Sequence, residues 1–455
     1  MMGKHENHQH RFMFLSLDQY VPKDHLLRQI EELVDFTFIY EKVQHLYSPL
    51  GRKSIDPVIL IKMLLIGYLY GIESERKLEE EVTLNLAYRW FLGLDLDEPI
   101  PDHSTFSQNR KRRFNGSSVF QEVFDHVVMM CVEKGLVTGE IILTDSTHIK
   151  AYASSENSEK VELVIDPSDY LKKLDDEIVR MEEEFQKERE VKGVKKRGKK
   201  PKAEPIVKEV VKSKADPDTG LLGRPNKPKG FHYLAHTSVD PSHGIITDIH
   251  ATAANLNDHE VYIERLAVQQ NKFPFSIQKA GADKGYDRSV VHVGLKKLHI
   301  TGYISPIEQH KEIHQDFTYN EQMDAFICSQ GKTLDFTYIR KKDYGKTYHK
   351  VYAAKRQDCK ECLLQESCLS KTSKFKRIST PFGHEEMRKN QERSKTKEYK
   401  HISRLRRIWC EGTFGCLKQK HNLFKTYKRG IKKIQEQCLF SALALNLKRM
   451  VKALK

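Results

Sequence analysis

No apolar run in this chain is long. The longest, VILIKMLLIGYLY at residues 58–70, contains Lys62 and is too short to span a bilayer. It reads as a buried helix, and no membrane partner is expected. The N-terminus, MMGKHENHQH, lacks the apolar stretch of a signal peptide. His5, His8 and His10 within it read as a solvated tail rather than a metal site. Cysteine is sparse as well: eight residues, unevenly spaced in 455. That spacing argues against a disulfide framework and for reduced thiols. A cytoplasmic protein is expected. Acidic residues are outnumbered, 62 against 77 basic ones, for a formal charge of +15 and a pI near 9.2. The excess favours a polyanionic partner, most often nucleic acid.

What is present divides by texture. Residues 1–135 read as helical. Asp56 and Pro57 suit the N-cap and first position of a helix that Gly71 ends. A second helix is expected in ESERKLEEEVTLNLAYRWFLG. After DEPIPDHS, the segment STFSQNRKRRF opens on a capping Ser or Asp and ends in Arg110, Lys111, Arg112 and Arg113. Two readings stand level here: a DNA-reading helix and a charged surface helix.

Strands begin at 136–155. Residues 156–216 read as a charged insertion, with a helical arm in YLKKLDDEIVRMEEEFQKERE and a flexible basic tract in KGVKKRGKKPK. Strands resume in 217–307. FHYLAHTSVD and GIITDIHATAA read as an antiparallel hairpin, and Asn257–Asp258 as the cap of a helix from His259. Two short strands follow, IQKAGAD and HITGYISP, with a helix after Tyr286. Residues 308–400 form a second insertion. Helices are expected over about 400–427 and 431–453, with Gly430 between. In the last, Ile431, Ile434, Cys438, Ala442 and Leu445 share one face. The fold class is α/β: a mixed sheet flanked by helices, an all-α N-terminal domain, inserted segments, and C-terminal helices (401–455) that complete the sheet domain.

Three acids stand out. Asp145 follows the apolar residues of IILTDSTHIKAYAS, and Asp283 closes the apolar run of AGADKGYD. Both read as strand-end residues. Glu411 lies in RRIWCEGTFGCLKQKH, where at ~100° per residue Arg407, Glu411 and Lys418 fall within roughly 40° of one another. Singly, each has a plain explanation: a turn, a cap, an i,i+4 ion pair. Together they suit phosphodiester chemistry. That chemistry needs a nucleophilic oxygen and charge relief on the leaving oxygen, and two divalent cations about 3.5–4 Å apart supply both. Such hard ions take carboxylate oxygens.

The segments DHSTFSQNRKRRF, LTDSTHIKAYAS, ATAANLNDHE, ADKGYD and RxxxEGTFGCLK resemble bacterial insertion-sequence transposases with a DDE triad and a ribonuclease-H-like core. The resemblance covers nearly the whole chain. It implies that Asp145, Asp283 and Glu411 are the catalytic acids and hold Mg²⁺ or Mn²⁺. It also implies double-stranded DNA as the partner, both element ends and target, with strand cleavage and strand transfer at those ends and a homodimer or larger assembly on DNA. Arg407 and Lys418 match the basic positions of the family's tyrosine–arginine–glutamate–lysine pattern, whose tyrosine is replaced by Arg404. With Lys284, Arg110, Lys111, Arg112 and Arg113 they are the expected DNA-binding cations. Ser146 and Tyr286 are expected to pack or hydrogen-bond rather than act as nucleophiles.

QDCKECLLQESC supplies Cys359, Cys362 and Cys368, the first two at the C-x2-C spacing that suits zinc. Cys328, beside a Gly turn, is the expected fourth ligand of a structural zinc site, with His349 and His384 as alternatives. Two rival functions remain: a metal-dependent DNA nuclease that does not join strands, and a non-catalytic DNA-binding regulator with a zinc module.

Overall fold

The structure is a computed structural model that describes residues 16–48, 50–51, 54–114, 116–164, 207–223, 229–307, 316–342, 347–370 and 372–455. Helix Pro57–Tyr70 forms as its caps dictate. The Asp56 carboxylate accepts the Val58 N–H at 2.7 Å, and Gly71 ends the helix at φ +72°. Leu60 to Leu69 are all buried, Lys62 among them. Its ammonium is tolerated because it donates to Glu31 (2.6 Å) and to the Phe91 carbonyl (3.1 Å). The helix expected next is two, Glu75–Leu84 and Leu86–Leu92. Asn85 breaks it, because its side-chain oxygen accepts from Ala87 and Tyr88 and restarts the helix. Asp102 opens His103–Arg112, and Val119–Glu133 follows.

The strands are β1 (Ile141–Lys150), β2 (Ser158–Val164), β3 (Val207–Ser213), β4 (Gly220–Leu222), β5 (Gly230–Val239), β6 (Ile246–Ala253), β7 (Lys279–Ala282) and β8 (Thr301–Ile304). The central sheet is mixed. β5 runs antiparallel to both β1 and β6, while β1, β7 and β8 are mutually parallel, in the order β6-β5-β1-β7-β8. β4 pairs with the start of β5. Helices His259–Lys272 and Ser289–Lys297 cover β7 with Tyr262, Leu266, Val291 and Leu295.

Helix Ile431–Leu454 packs on β6 and on three N-terminal helices at once. Its one-sided pattern is not its environment: residues 436–447 are all buried. One apolar core therefore runs from the N-terminal helices into the sheet. The preceding helix ends at Lys420, short of the expected 427. Residues 421–430 instead return alongside β1, where Lys150 bridges to Lys425.

In the first insertion β2 and β3 form a two-stranded antiparallel ribbon. The expected helical arm and the basic tract lie outside the described residues, as do His5, His8 and His10. In the second insertion β9 (Phe317–Asn320), β10 (Ala325–Cys328), β11 (Thr333–Lys342), β12 (Thr347–Ala354) and β13 (Arg377–Pro381) form an antiparallel sheet. It has its own small core of Phe326, Leu334, Tyr352 and Ile378. Among the described residues no single helix is long and apolar enough to cross a membrane.

Candidate metal centre and nucleic-acid interface

Asp145 lies in the middle of β1 rather than at its end. The strand end belongs to its neighbour. β7 pairs in parallel with β1 only through Leu143↔Gly281 and stops at Ala282. Two residues on, the register puts Asp145 level with Asp283, the first residue past β7. An apolar run thus delivers each carboxylate to the carboxyl end of a parallel pair, the usual ligand position in open α/β sheets.

Asp145 Oδ1 accepts the Ser146 N–H (2.8 Å), and Oδ2 accepts from Arg406 Nη1 (2.6 Å). Burial pushes the Asp145 carboxyl up to about 6. Arg406 pulls against this, while Asp283 and Asp258 push with it. Asp283 Oδ1 also caps its own turn, accepting the Gly285 N–H at 2.8 Å.

Asp258 is the member the sequence did not reveal. It stands at the N-cap of His259–Lys272 but makes no side-chain cap bond, because its backbone is already helical (φ −54°). Glu260 takes over locally by accepting from Asn257. The Asp258 carboxylate turns instead to Ser146 Oγ, at 2.6 Å. A Cβ on Gly285 would sit 3.0 Å from Asp283 Oδ1 and 3.7 Å from Asp258 Oδ2. The absent side chain keeps the space between two carboxylates open. Beneath them lies the Tyr286 hydroxyl, buried and without a hydrogen-bond partner. Burial raises its pKa far above normal, and Asp258, Asp145 and Asp283 each add to the rise. His236, with Nδ1 3.9 Å from Asp258 Oδ1, is pushed down to about 3 by burial and the neighbouring His250, so it is neutral.

Glu411 arrives from the C-terminal side. Helices Lys397–Arg406 and Gly412–Lys420 are joined by a π turn, Arg407–Glu411. In an unbroken α-helix Glu411 would point ~140° from Arg406. The π turn absorbs one extra residue, which leaves about 40°. Glu411 is thereby rotated away from Arg407 and toward the side where Arg406 meets Asp145, while Lys418, seven residues on in the regular helix that follows, stays within about 20° of it. The turn packs against β1. Trp409 covers the Gly244 backbone, where any Cβ would lie 2.3 Å from its ring. The Cys410 thiol, raised first by burial, feels Asp145 and Glu411 together. Glu411 itself is exposed. Among the described residues only Glu79, Asp102 and His103 bring three candidate ligand atoms within 4.8 Å of one another. Their mutual bonds and the Asp102 cap account for that trio.

The expected DNA-binding cations divide. Arg407, Lys284, Lys111 and Arg112 are exposed, and Lys418 is half-buried. Arg113 donates to Asn109 (2.7 Å) and covers the Tyr47 ring. Arg110 does not fit the expectation. It turns inward, with Nε 2.8 Å from Glu436 Oε2 and Nη1 2.5 Å from Glu75. Glu436 also accepts from Lys428 at 3.1 Å. A guanidinium held by two acids belongs to the fold, not to a phosphate.

The four cysteines of the second insertion are near enough to influence one another's charge, but no three of their sulfurs lie within 4.8 Å of one another. Cys328 ends β10 at a tight turn, where its carbonyl accepts the Gly331 N–H (2.8 Å). Cys359 and Cys368 sit on short helices, with Cys362 between them. All four are half-buried and unbridged. Burial raises the Cys368 thiol; Lys376 opposes, while Cys359, Cys362 and Cys328 all add to the rise. His349 lies elsewhere on that sheet, 3.4 Å from Ser379 Oγ.

Residues 15–112 match the family model described as Transposase domain (DUF772), and residues 327–451 match the one described as Transposase DDE domain. The second match contains Glu411 and the four clustered cysteines. Two solved structures are similar: the Mos1 mariner paired end complex with Mn, and the Mos1 transposase paired-end complex with left transposon end. The first is 9% identical over 56% of this chain and 60% of that one, with a TM-score of 0.17. The second is 8% identical over 57% and 62%, also at 0.17. The chain spans less than two thirds of the length of either. No curated protein matches it. A transposase-domain model thus matches the N-terminal helices and a transposase DDE-domain model matches the C-terminal part, each over less than half of the chain.

Proposed function

We propose that this protein cuts DNA at the ends of a mobile element and joins the exposed 3′-hydroxyl to target DNA. Asp145, Asp283 and Glu411 are the acids that hold divalent cations, Mg²⁺ or Mn²⁺, for this chemistry. One observation carries the reading: the β1–β7 register brings Asp145 on β1 level with Asp283, the first residue past β7, and the π turn that bears Glu411 packs on β1. The mixed sheet, antiparallel on one side of β1 and parallel on the other, supports a ribonuclease-H-like core.

The donor set suits hard cations. It is made of carboxylate oxygens, it leaves open the space a Gly285 side chain would fill, and it crowds negative charge around an unpartnered hydroxyl. Bound there, a pair of divalent ions supplies a nucleophilic oxygen and relieves charge on the leaving one. The chain's own groups do the rest. Ser146 ties Asp258 to β1 and so fixes the rim of the site. Arg406 neutralises Asp145 and orients its carboxylate. Arg407, Lys284, Lys111 and Arg112, exposed on the surface, grip phosphates. Cys328, Cys359, Cys362 and Cys368 hold a structural zinc that stiffens the second insertion. Pairing two DNA ends calls for a dimer or a larger assembly.

The test is to incubate the protein with a duplex carrying an element end, labelled at the 5′ end of the strand whose 3′-hydroxyl is to be exposed, together with target DNA and Mg²⁺, and to size the products. Joined products are expected. Cleavage without joining would leave a nuclease, and no metal-dependent cutting would overturn the proposal.

A further inference from the structure

Beyond the acids, β1 leads to a second surface. Past Lys150 the chain reaches Tyr152, and residues 421–430 are laid beside it. Lys150 N–H donates to the Phe424 carbonyl (3.1 Å), and Thr426 N–H donates to the Lys150 carbonyl (2.9 Å). Leu423 (0% exposed) and Thr426 (3%) anchor the segment, while Phe424 (59%), Tyr427 (55%) and Tyr152 (54%) face solvent. Gln437 secures it from the central helix, donating to the Lys425 carbonyl at 3.0 Å. The rings are therefore mounted on a fixed backbone. Tyr152 and Tyr427 lie 5.8 Å apart, Arg429 covers Tyr152 at 5.3 Å, and Lys425 covers Tyr427 at 4.9 Å. Lys150 is exposed beside them.

We infer that this aromatic and cationic platform binds unpaired DNA strand, with bases stacked on the rings and phosphates held by Lys150, Lys425 and Arg429. Three observations select that partner. The rings are more than half exposed, which costs free energy in a monomer unless something covers them. The cations interleaved with them match a polyanion. A duplex hides its base faces within its own stack, so only an unpaired strand can use ring faces. At ~3.3 Å per residue along β1, Tyr152 lies on the order of 20 Å from Asp145. The platform would hold a strand several nucleotides from the cut, as when an element end is melted. This rests on the function proposed above.

The experiment is fluorescence anisotropy with a short labelled oligothymidylate, which forms no duplex with itself, in metal-free buffer. Replacing Tyr152, Phe424 and Tyr427 together by alanine should weaken binding at least about tenfold, the loss of one stacked base. The slope against salt should not change. Tyr427→Phe should retain binding. Lys425→Gln with Arg429→Gln should instead flatten the salt slope. An alanine variant that binds within about twofold of the parent would overturn the inference. So would one whose only change, by sedimentation velocity, is in self-association. Metal-dependent duplex cutting, measured on the same preparations, tests the underlying function, and each result can fail alone.

Discussion

Arg110 offers a sharp contrast between what a basic run suggests and what the fold does with it. Removing its side chain by Arg110→Ala leaves Glu436 buried, its side chain only 5% exposed, and strips Glu75 of its partner. Breaking a buried ion pair on one side costs about 3–5 kcal/mol. Lys428 still contacts Glu436, so the expected loss lies near the lower end, about 3 kcal/mol. The charge state sharpens the test. Burial alone would raise Glu436, but Lys428 and Arg110 outweigh it and hold the carboxyl below its ordinary 4.5. A depressed carboxyl contributes stability above 4.5 and loses it as pH falls through the lower folded value. The variant should therefore lose its deficit, relative to the parent, on acidification below 4.5. Urea unfolding followed by the two tryptophans, Trp90 and Trp409, reads this directly. Binding to a DNA duplex should keep its salt dependence. Unchanged stability with a salt slope shallower by about 0.9 would show instead that Arg110 holds a phosphate, and would refute the inward clasp.

Other perturbations bear on the site itself. Gly285→Ala places a methyl 3.0 Å from Asp283 Oδ1 and should lower cleavage about 10²-fold with the thermal midpoint nearly unchanged; normal cleavage would show that the space between Asp283 and Asp258 is not used. Because Asp145 is held up to about 6, its ionisation costs folding stability as pH rises from 3.8 to about 6, and a bound cation should offset that cost. Mn²⁺ affinity, followed by electron paramagnetic resonance, should accordingly fall about tenfold per unit below pH 6, and a flat profile would remove Asp145 from the ligands. Protein purified without added zinc should carry one zinc per chain and lose it on Cys328→Ser as well as on Cys359→Ser. Metal-free protein that folds unaltered would leave four reduced thiols.

The elements legible in the sequence were those written locally. Asp56, Pro57 and Gly71 bound a helix because caps act within a turn of their own residue. The hairpin of β5 and β6 follows from two alternating runs and a short turn. The juxtaposition of β1 and β7 was legible only as two apolar runs each ending on Asp; their register belongs to the assembled sheet. What escaped was set by distant partners. Arg110 meets Glu436, 326 residues away, and nothing in a run of four cations says which one turns inward. Asp258 read as a helix cap because its setting is one, and only the folded chain brings Ser146 to it. The π turn leaves no mark on a 3.6-residue pattern, yet it decides which way Glu411 points.

Cleavage of an end-bearing duplex in Mg²⁺ by Asp145→Asn, Asp283→Asn and Glu411→Gln proteins probes the heart of the account. Each variant should bind the duplex as the parent does and leave it uncut. Substantial cutting by any one of them would mean that these three carboxylates do not share a metal centre.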